Sequence, residues 1–349
     1  MKVHEFKLNE SGSSRLVVTV INVPPMMQKT PALIHVPGGG FMACSESDGV
    51  NLAARLTARG FGVTCTYLYP TARDYRFPQV TIDLMRCIKI LRDHASEWGV
   101  DPKKIVISGN SAGAFICMTA GNLWNREDLM AAAGCTGDEG RPDAMILGFG
   151  PMYCGQQDDD GLTYVPNGDL VGEQTSPAFF HHARLDTLVS VYQTIAMIDA
   201  MERNKRPFGV YISSNGGHGE TGGTTRLKSA DGTVGPCLDD WFEGCWNFLA
   251  NTLGLSQTPQ SMPSFMGGGP GGGPGGPGGP GGPGGPGGPG MAPPSGEGAP
   301  AMPPMMFNMP IPPEGSERNE PGDMPFGQAD NIHMPFNVGY KDKDFKTYK

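Results

Sequence analysis

A chain of 349 residues with a net charge of −9 and neither a basic patch nor a basic stripe is a poor match for nucleic acid or an anionic membrane surface. Its 53 glycines and 33 prolines concentrate toward the C-terminal end, which leaves a globular part suited to one α/β domain with a large core. No stretch approaches the roughly 18 apolar residues that would span a bilayer.

The opening MKVHEFKLNE lacks the apolar run of a signal peptide, so the expected location is cytoplasmic, unless a leader was lost in cloning. None of the cysteines stands in a C-x-x-C pair, and Cys65, Cys87 and Cys117 fall inside apolar strand or helix patterns. Reduced, buried thiols are the expected state.

In chain order, LVVTVIN at 16–22 reads as an early strand, ended by Pro24-Pro25. ALIHV at 32–36 is a second, buried strand, and it runs into Pro37-Gly38-Gly39-Gly40-Phe41. Consecutive glycines let the backbone fold back with its N–H groups exposed. A phosphate loop would end in Gly-Lys-Ser/Thr, which Phe41-Met42-Ala43 does not supply. An oxyanion hole needs only free N–H groups beside a nucleophile. A helical segment over 48–59, a strand over 61–67 and a loop through Tyr69 and Arg76 follow. A helix then carries Val80, Leu84, Cys87, Ile88 and Leu91 at 3.6-residue spacing.

After a turn at Asp101-Pro102, the run Ile105-Val106-Ile107 reads as a buried strand leading into Gly109-Asn110-Ser111-Ala112-Gly113 and then a helix over 114–122. This context gives G-x-S-x-G its meaning. A serine at the tip of such a turn is strained, and its neighbours two residues away must be small. The turn lifts Oγ above the sheet and aims the Ala112 N–H at whatever Oγ attacks. Beyond it lie a strand over 143–149, an irregular stretch over 150–177, a short strand over 178–182, a helix over 190–203, a strand over 207–213 and a helix over 238–253. The irregular stretch sits where a lid would sit but has no strong amphipathic helix, so the site is expected to be open and shallow. Its acidic triplet Asp158-Asp159-Asp160 lacks calcium-loop spacing and reads as a solvated turn. No metal or other cofactor is expected.

Strands and helices alternating at this spacing predict a mostly parallel central sheet with helices on both faces. In hydrolase sheets of this kind the nucleophile, acid and histidine follow in that chain order, each on a loop at the C-terminal end of a strand. Asp186 and His218 fit as the partners of Ser111. His181 and His182 precede the acid loop, so they would be out of order. Asp186 has an alternative use as the cap of the helix near 190. Serine needs a base to take its proton, imidazole can take and return one, and a carboxylate fixes the imidazole tautomer. The oxyanion would lean on Ala112 and on Gly38 or Gly39. Phe41, Asn110 and Tyr69 are candidates to line the substrate pocket.

These stretches together resemble the esterase and lipase branch of the α/β-hydrolases, particularly the acetylxylan-esterase-like and hormone-sensitive-lipase-like enzymes. The resemblance rests on PGGGF at 37–41, FPQVTIDLMRCIKILRDHASEWGVDPKKIVISGNSAG at 77–113, RPDAMILGF at 141–149, LDTLV at 185–189 and GGHG at 216–219. It implies Ser111 as nucleophile, Asp186 as acid, His218 as base and Gly38, Gly39 and Ala112 as oxyanion hole. Many members have His where this chain has Pro37, so a side-chain bond that braces the glycine loop is missing. The resemblance favours short acyl esters, acetyl groups on carbohydrates among them, as substrates. A serine peptidase of the same fold, or a non-catalytic scaffold acting through its tail, are the competing readings.

The domain reading is a catalytic domain over 1–254, a Gly/Pro-rich linker over 255–290 and a Met/Pro-rich tail over 291–349. Gly-Gly-Pro repeats from Gly275 to Pro289 read as a flexible linker rather than collagen. The tail, with Met-Pro-Phe twice, cannot bury a core of its own and reads as disordered. Self-contact, docking onto the domain and contact with a partner protein stay open for it.

Overall fold

Side chains on successive strand residues point to opposite faces, so a strand buried on both sides is apolar throughout and feeds two cores. That is the arrangement in the computed structural model, which describes residues 1–21, 29–219, 241–255 and 346–348. The chain divides into two units, Met1–Pro259 with Asn308–Lys349, and Gln260–Phe307; all described residues belong to the first. In order they form β1 (Lys2–Lys7), β2 (Arg15–Val20), β3 (Thr30–Val36), α1 (Val50–Ala58), β4 (Val63–Leu68), α2 (Gln79–Asp93), α3 (Ala95–Trp98), β5 (Val100–Asn110) and α4 (Ala112–Leu123). Then come α5 (Glu127–Ala133), β6 (Ala144–Gly148), β7 (Tyr153–Asp158), β8 (Gly161–Pro166), β9 (Ala178–Ala183), α6 (Tyr192–Arg203), β10 (Phe208–Ser213), α7 (Trp241–Leu253) and β11 (Lys346–Thr347).

The main sheet has eight strands in the order β1-β2-β4-β3-β5-β6-β9-β10. β1 and β2 are antiparallel to their neighbours, and from β4 to β10 every pairing is parallel. On one face Ile34, Ile105, Ile107, Met145 and Phe180 pack with Leu84 and Ile88 of α2, Phe115 of α4 and Met197 of α6. On the other, Leu33, Val106, Ile146 and Phe179 meet Leu56 of α1 and Trp241, Trp246 and Leu249 of α7. The strict alternation Leu33/Ile34 and Ile105/Val106/Ile107 is what fixes the register, since a one-residue slip would exchange the two cores. The parallel run brings the C-terminal ends of β3, β5, β9 and β10 to one rim, where the candidate site lies.

Three sequence expectations need correction, and one strand was not foreseen. Asp101-Pro102, expected as a turn, lies inside β5, whose pairing with β3 shifts register between Thr30 and Ala32. The stretch 150–177, expected to be irregular, contains the antiparallel hairpin β7–β8, with the acidic triplet at its turn. There the Asp160 N–H donates to the Asp158 carboxylate and Arg76 pairs with Asp159. The N-terminal residues form an edge strand, β1, that was not foreseen. Finally, residues 346–348 are ordered against β8, which gives a second sheet in the order β11-β8-β7. Pro24-Pro25, the Gly-Gly-Pro repeat, the linker 256–290 and the tail up to residue 345 lie outside the described residues. Cys44, Cys65, Cys87, Cys117, Cys135, Cys154 and Cys245 are free thiols; Cys237 lies outside the described residues. Among the described residues no helix is long and apolar enough to cross a membrane.

Candidate active site

Ser111 sits between the end of β5 and the start of α4 with φ 50° and ψ −117°, a conformation that side chains other than glycine's rarely adopt. The strain is tolerated because both flanks are packed against backbone. A Cβ at Gly113 would drive into the Val36 carbonyl, and one at Gly109 would strike Gly113, so neither position has room for a side chain. The Ser111 N–H donates to Gly148 O at 2.8 Å, which ties the elbow to the end of β6. Its Oγ lies 3.0 Å from Nε2 of His218.

His218, on the loop after β10, places Nδ1 2.8 Å from Oδ2 of Asp186. Asp186 lies on the loop after β9 and is buried. Its Oδ1 accepts the N–H groups of Leu188 and Val189, at 2.9 and 2.8 Å, so the carboxylate closes its own turn. It does not cap α6, which starts at Tyr192 without a side-chain cap. Burial works against the charge, but hydrogen bonds from His182 and His218 and the Val189 N–H outweigh it and hold the Asp186 pKa down to about 2. An ionised carboxylate can only accept, so the His218 proton sits on Nδ1 and Nε2 is bare to accept from Ser111.

His182, set aside in the sequence on grounds of chain order, belongs to this site. Its Nε2–H faces two acceptors, Oδ2 of Asp186 at 3.2 Å and Val189 O at 2.9 Å. Its Nδ1 lies 2.8 Å from the Thr194 hydroxyl. The acid is therefore held by groups from β9, its own turn and the histidine loop together. Chain order rules His182 out as the base, but adjacency to a buried aspartate four residues on marks it as a brace. Phe149, at the end of β6 with φ 39°, stands edge-on to the His218 ring at 4.9 Å between centroids.

The glycine loop is held by a residue the sequence did not offer. Asp48 accepts the Gly38 N–H at 2.7 Å through Oδ2 and the Asn110 amide at 3.0 Å through Oδ1. His35 Nε2 is 3.7 Å from the same Oδ2, beyond hydrogen-bond distance. Against the cost of burial, His35, the Gly38 N–H and Asn110 lower the Asp48 pKa to about 2. Two expectations change as a result. The Gly38 N–H is committed to Asp48 and is not available to an oxyanion, which leaves Gly39 on this loop. The brace missing at Pro37 is supplied from the other side, by the carboxylate just before α1. The Ala112 N–H, first in α4, has no acceptor within its own helix.

Of the pocket candidates, Asn110 is used by Asp48, and the buried Tyr69 hydroxyl donates to Pro37 O at 3.1 Å and approaches Gly38 O at 3.3 Å. Phe41 is buried against Tyr75 and Phe115. Tyr69 and Phe41 are thus buried beside the glycine loop, while Asn110 is part-exposed and joined to that loop through Asp48. Among the described residues no group of His, Cys, Asp and Glu side chains is arranged to hold a metal ion.

With this geometry in view, similarity to known proteins can be placed. The BD-FAE family model matches residues 21–153, which contain the glycine loop and the elbow. Endo-1,4-beta-xylanase B of Butyrivibrio fibrisolvens is 28% identical over 212 residues, 55% of this chain and 33% of that protein. Acetyl esterase of Salmonella paratyphi B is 30% identical over 111 residues, 32% of this chain and 34% of that protein. The chain thus spans about a third of the length of these relatives. Among solved structures, a carboxylesterase from Lactobacillus plantarum superposes with a TM-score of 0.62 at 19% identity, over 74% of this chain and 100% of that one. An acetyl ester-xyloside bifunctional hydrolase from Caldicellulosiruptor lactoaceticus gives 0.55 at 19%, over 69% and 89%. At such identities the structures show the fold alone. The chain thus has the α/β-hydrolase fold and is similar, over part of its length, to proteins named as esterases.

Proposed function

We propose that the protein is a serine esterase that cleaves short acyl esters, acetyl esters of carbohydrates foremost. The observation that carries this reading is the hydrogen-bond chain from Ser111 Oγ through His218 to Asp186, at 3.0 and 2.8 Å, with the serine on a strained elbow. As Oγ attacks the acyl carbon, Nε2 of His218 takes its proton, and Asp186 stabilises the resulting imidazolium. The carbonyl oxygen becomes an oxyanion and is met by the N–H groups of Ala112 and Gly39. The tetrahedral species collapses, the alcohol leaves with the proton from Nε2, and Ser111 keeps the acyl group. A water activated by the same imidazole then releases the acid and restores the serine.

Two considerations favour a short acyl chain. Between β6 and β9 the chain builds a hairpin and no helix, so that stretch supplies no long apolar lid of the kind a fatty acyl chain needs. Relatives and structural neighbours are named acetyl esterase, endo-1,4-beta-xylanase and acetyl ester-xyloside hydrolase, which points to acetylated sugars as the first substrates to try. The test compares hydrolysis of p-nitrophenyl acetate and p-nitrophenyl laurate, then screens acetate release from acetylated oligosaccharides. Faster turnover of the acetate, lost in Ser111→Ala, supports the reading. Undiminished activity in Ser111→Ala overturns the mechanism, and preference for laurate overturns the short-chain assignment.

A further inference from the structure

The hairpin β7–β8 presents one edge of β8 away from β7, and an open strand edge is a template for another extended segment. That edge is occupied. Lys346 and Thr347 pair in parallel with Thr163 and Tyr164, and the Tyr348 N–H donates to Tyr164 O at 2.9 Å. A strand of two residues has too little backbone pairing to stay in place alone. The anchor is the side chain that follows it. The Tyr348 ring stands edge-on to Phe77, 4.8 Å between centroids at 81°. The Arg126 guanidinium lies over the same ring at 4.5 Å, and Asp128 holds that guanidinium through Nε and Nη2 at 3.0 and 2.7 Å. Tyr348 packs on the main core and also on the satellite cluster of Ile82, Met85 and Leu129 between α2 and α5. Its hydroxyl is buried without a hydrogen-bond partner among the described residues, so the cleft takes the residue for its ring and not for its oxygen.

We propose that the edge of β8, together with the Phe77–Arg126 cleft, is a docking site for an extended segment bearing an aromatic side chain, and that its occupant is residues 346–348 of the same chain. Backbone pairing along an edge with one side-chain pocket is a general mode of peptide capture. Here the captured segment is covalently attached, so a modest contact is kept filled by its own local concentration. This inference does not depend on the esterase reading, and its test uses no substrate.

The experiment uses the full-length protein and a fluorescent peptide of sequence KDKDFKTYK, residues 341–349. Wild-type protein, its cleft already filled, should bind the peptide at least tenfold more weakly than full-length Tyr348→Ala, whose own segment has lost its anchor. Tyr348→Phe should behave as wild type, because the hydroxyl has no partner to lose. In the Tyr348→Ala background, a peptide with Phe in place of its Tyr should still bind, and one with Ala should lose at least tenfold. Equal peptide affinity in wild type and Tyr348→Ala, or indifference to the peptide's aromatic residue, overturns the proposal. Hydrogen exchange on the unmodified chain gives a measurement independent of any variant: the Tyr348 amide should exchange slowly, and exchange at the rate of an open peptide overturns docking. A wild-type mass of two chains that falls to one in Tyr348→Ala would place the segment on a second copy and overturn the same-chain assignment.

Discussion

The two arms of the site are built on opposite plans. The acid arm is redundant: Asp186 is buried and receives the N–H groups of Leu188 and Val189, His182 Nε2–H and His218 Nδ1–H. On the proposed oxyanion arm the Tyr69 hydroxyl holds Pro37 O, but one part-exposed carboxylate, Asp48, makes the side-chain link from the Gly38 N–H to the elbow residue Asn110. Redundancy on one side means that losing a single bracing donor leaves the acid in place. On the other arm one side chain makes the link between loop and elbow, so a single substitution there can loosen that link while leaving the Ser111–His218–Asp186 chain intact. The arms also differ in what they serve. In the proposed mechanism the acid arm sets a proton position before reaction begins, whereas the glycine loop acts on charge that exists only in the transition state.

The largest effects come from groups that both arms serve or that have no substitute. Ser111→Ala should reduce kcat by about 10⁴–10⁶ with an unchanged far-ultraviolet circular dichroism spectrum. Asp186→Asn should cost on the order of 10⁴ in kcat, because an amide can present its NH₂ to Nδ1 and reverse the tautomer that Ser111 needs. A loss of less than tenfold in Asp186→Asn would show that the acid arm does not set the proton position.

Asp48 is where the comparison is sharpest. Asp48→Ala should lower kcat on p-nitrophenyl acetate by roughly 10–100-fold with little change in KM, since a loosened donor weakens oxyanion stabilisation rather than ground-state binding. Asp48→Asn should fall much closer to wild type. The carbonyl of the substituted amide can accept from Gly38, and its NH₂ can donate to Asn110 once the Asn110 side chain turns over. On the acid arm, His182→Gln should lose less than tenfold, because the two backbone N–H groups still hold Asp186. A larger loss from His182→Gln than from Asp48→Ala would invert the assignment of redundant and single-joint arms.

This contrast also explains what the sequence could disclose. The elbow was legible because its requirements are local: an apolar strand, glycines two residues either side of Ser111 and a helix, all within twenty residues. Asp186 and His218 were legible because a parallel sheet delivers loops to one rim in chain order. That the sheet is covered on both faces was legible because ALIHV at 32–36 and Ile105-Val106-Ile107 are apolar almost throughout and strands alternate with helices along the chain. Asp48 was hidden because its two partners are set by how the loop folds back, and its composition looks like an ordinary helix start. The Gly38 donor was misassigned for the same reason, since which N–H a loop spends internally is a three-dimensional fact. The hairpin β7–β8 was missed because Asp158-Asp159-Asp160 and the polar Gln156-Gln157 dilute the alternation that marks a strand. β11 was beyond reach, since two residues carry no period at all.

Acid titration separates the arms by the smallest and most general signal. The pKa of Asp186 is lowered from 3.8 to about 2, and that of Asp48 from 3.8 to about 2. A carboxylate whose folded pKa is depressed adds stability that is fully present above its unfolded value and is lost as pH falls through the folded one. Each therefore adds stability at neutral pH that disappears between about pH 4 and pH 2. For the buried Asp186 the shift corresponds to about 2 kcal/mol, and for the part-exposed Asp48 to less, because solvent screens its partners. Urea unfolding at pH 6, 4, 3 and 2 should show wild-type stability falling across that window. The fall should be shallower in Asp186→Asn, by more than in Asp48→Asn, because each amide has no charge left to lose. If the two variants flatten the curve equally, the carboxylates are equally desolvated, and the difference between the arms lies in hydrogen bonding alone.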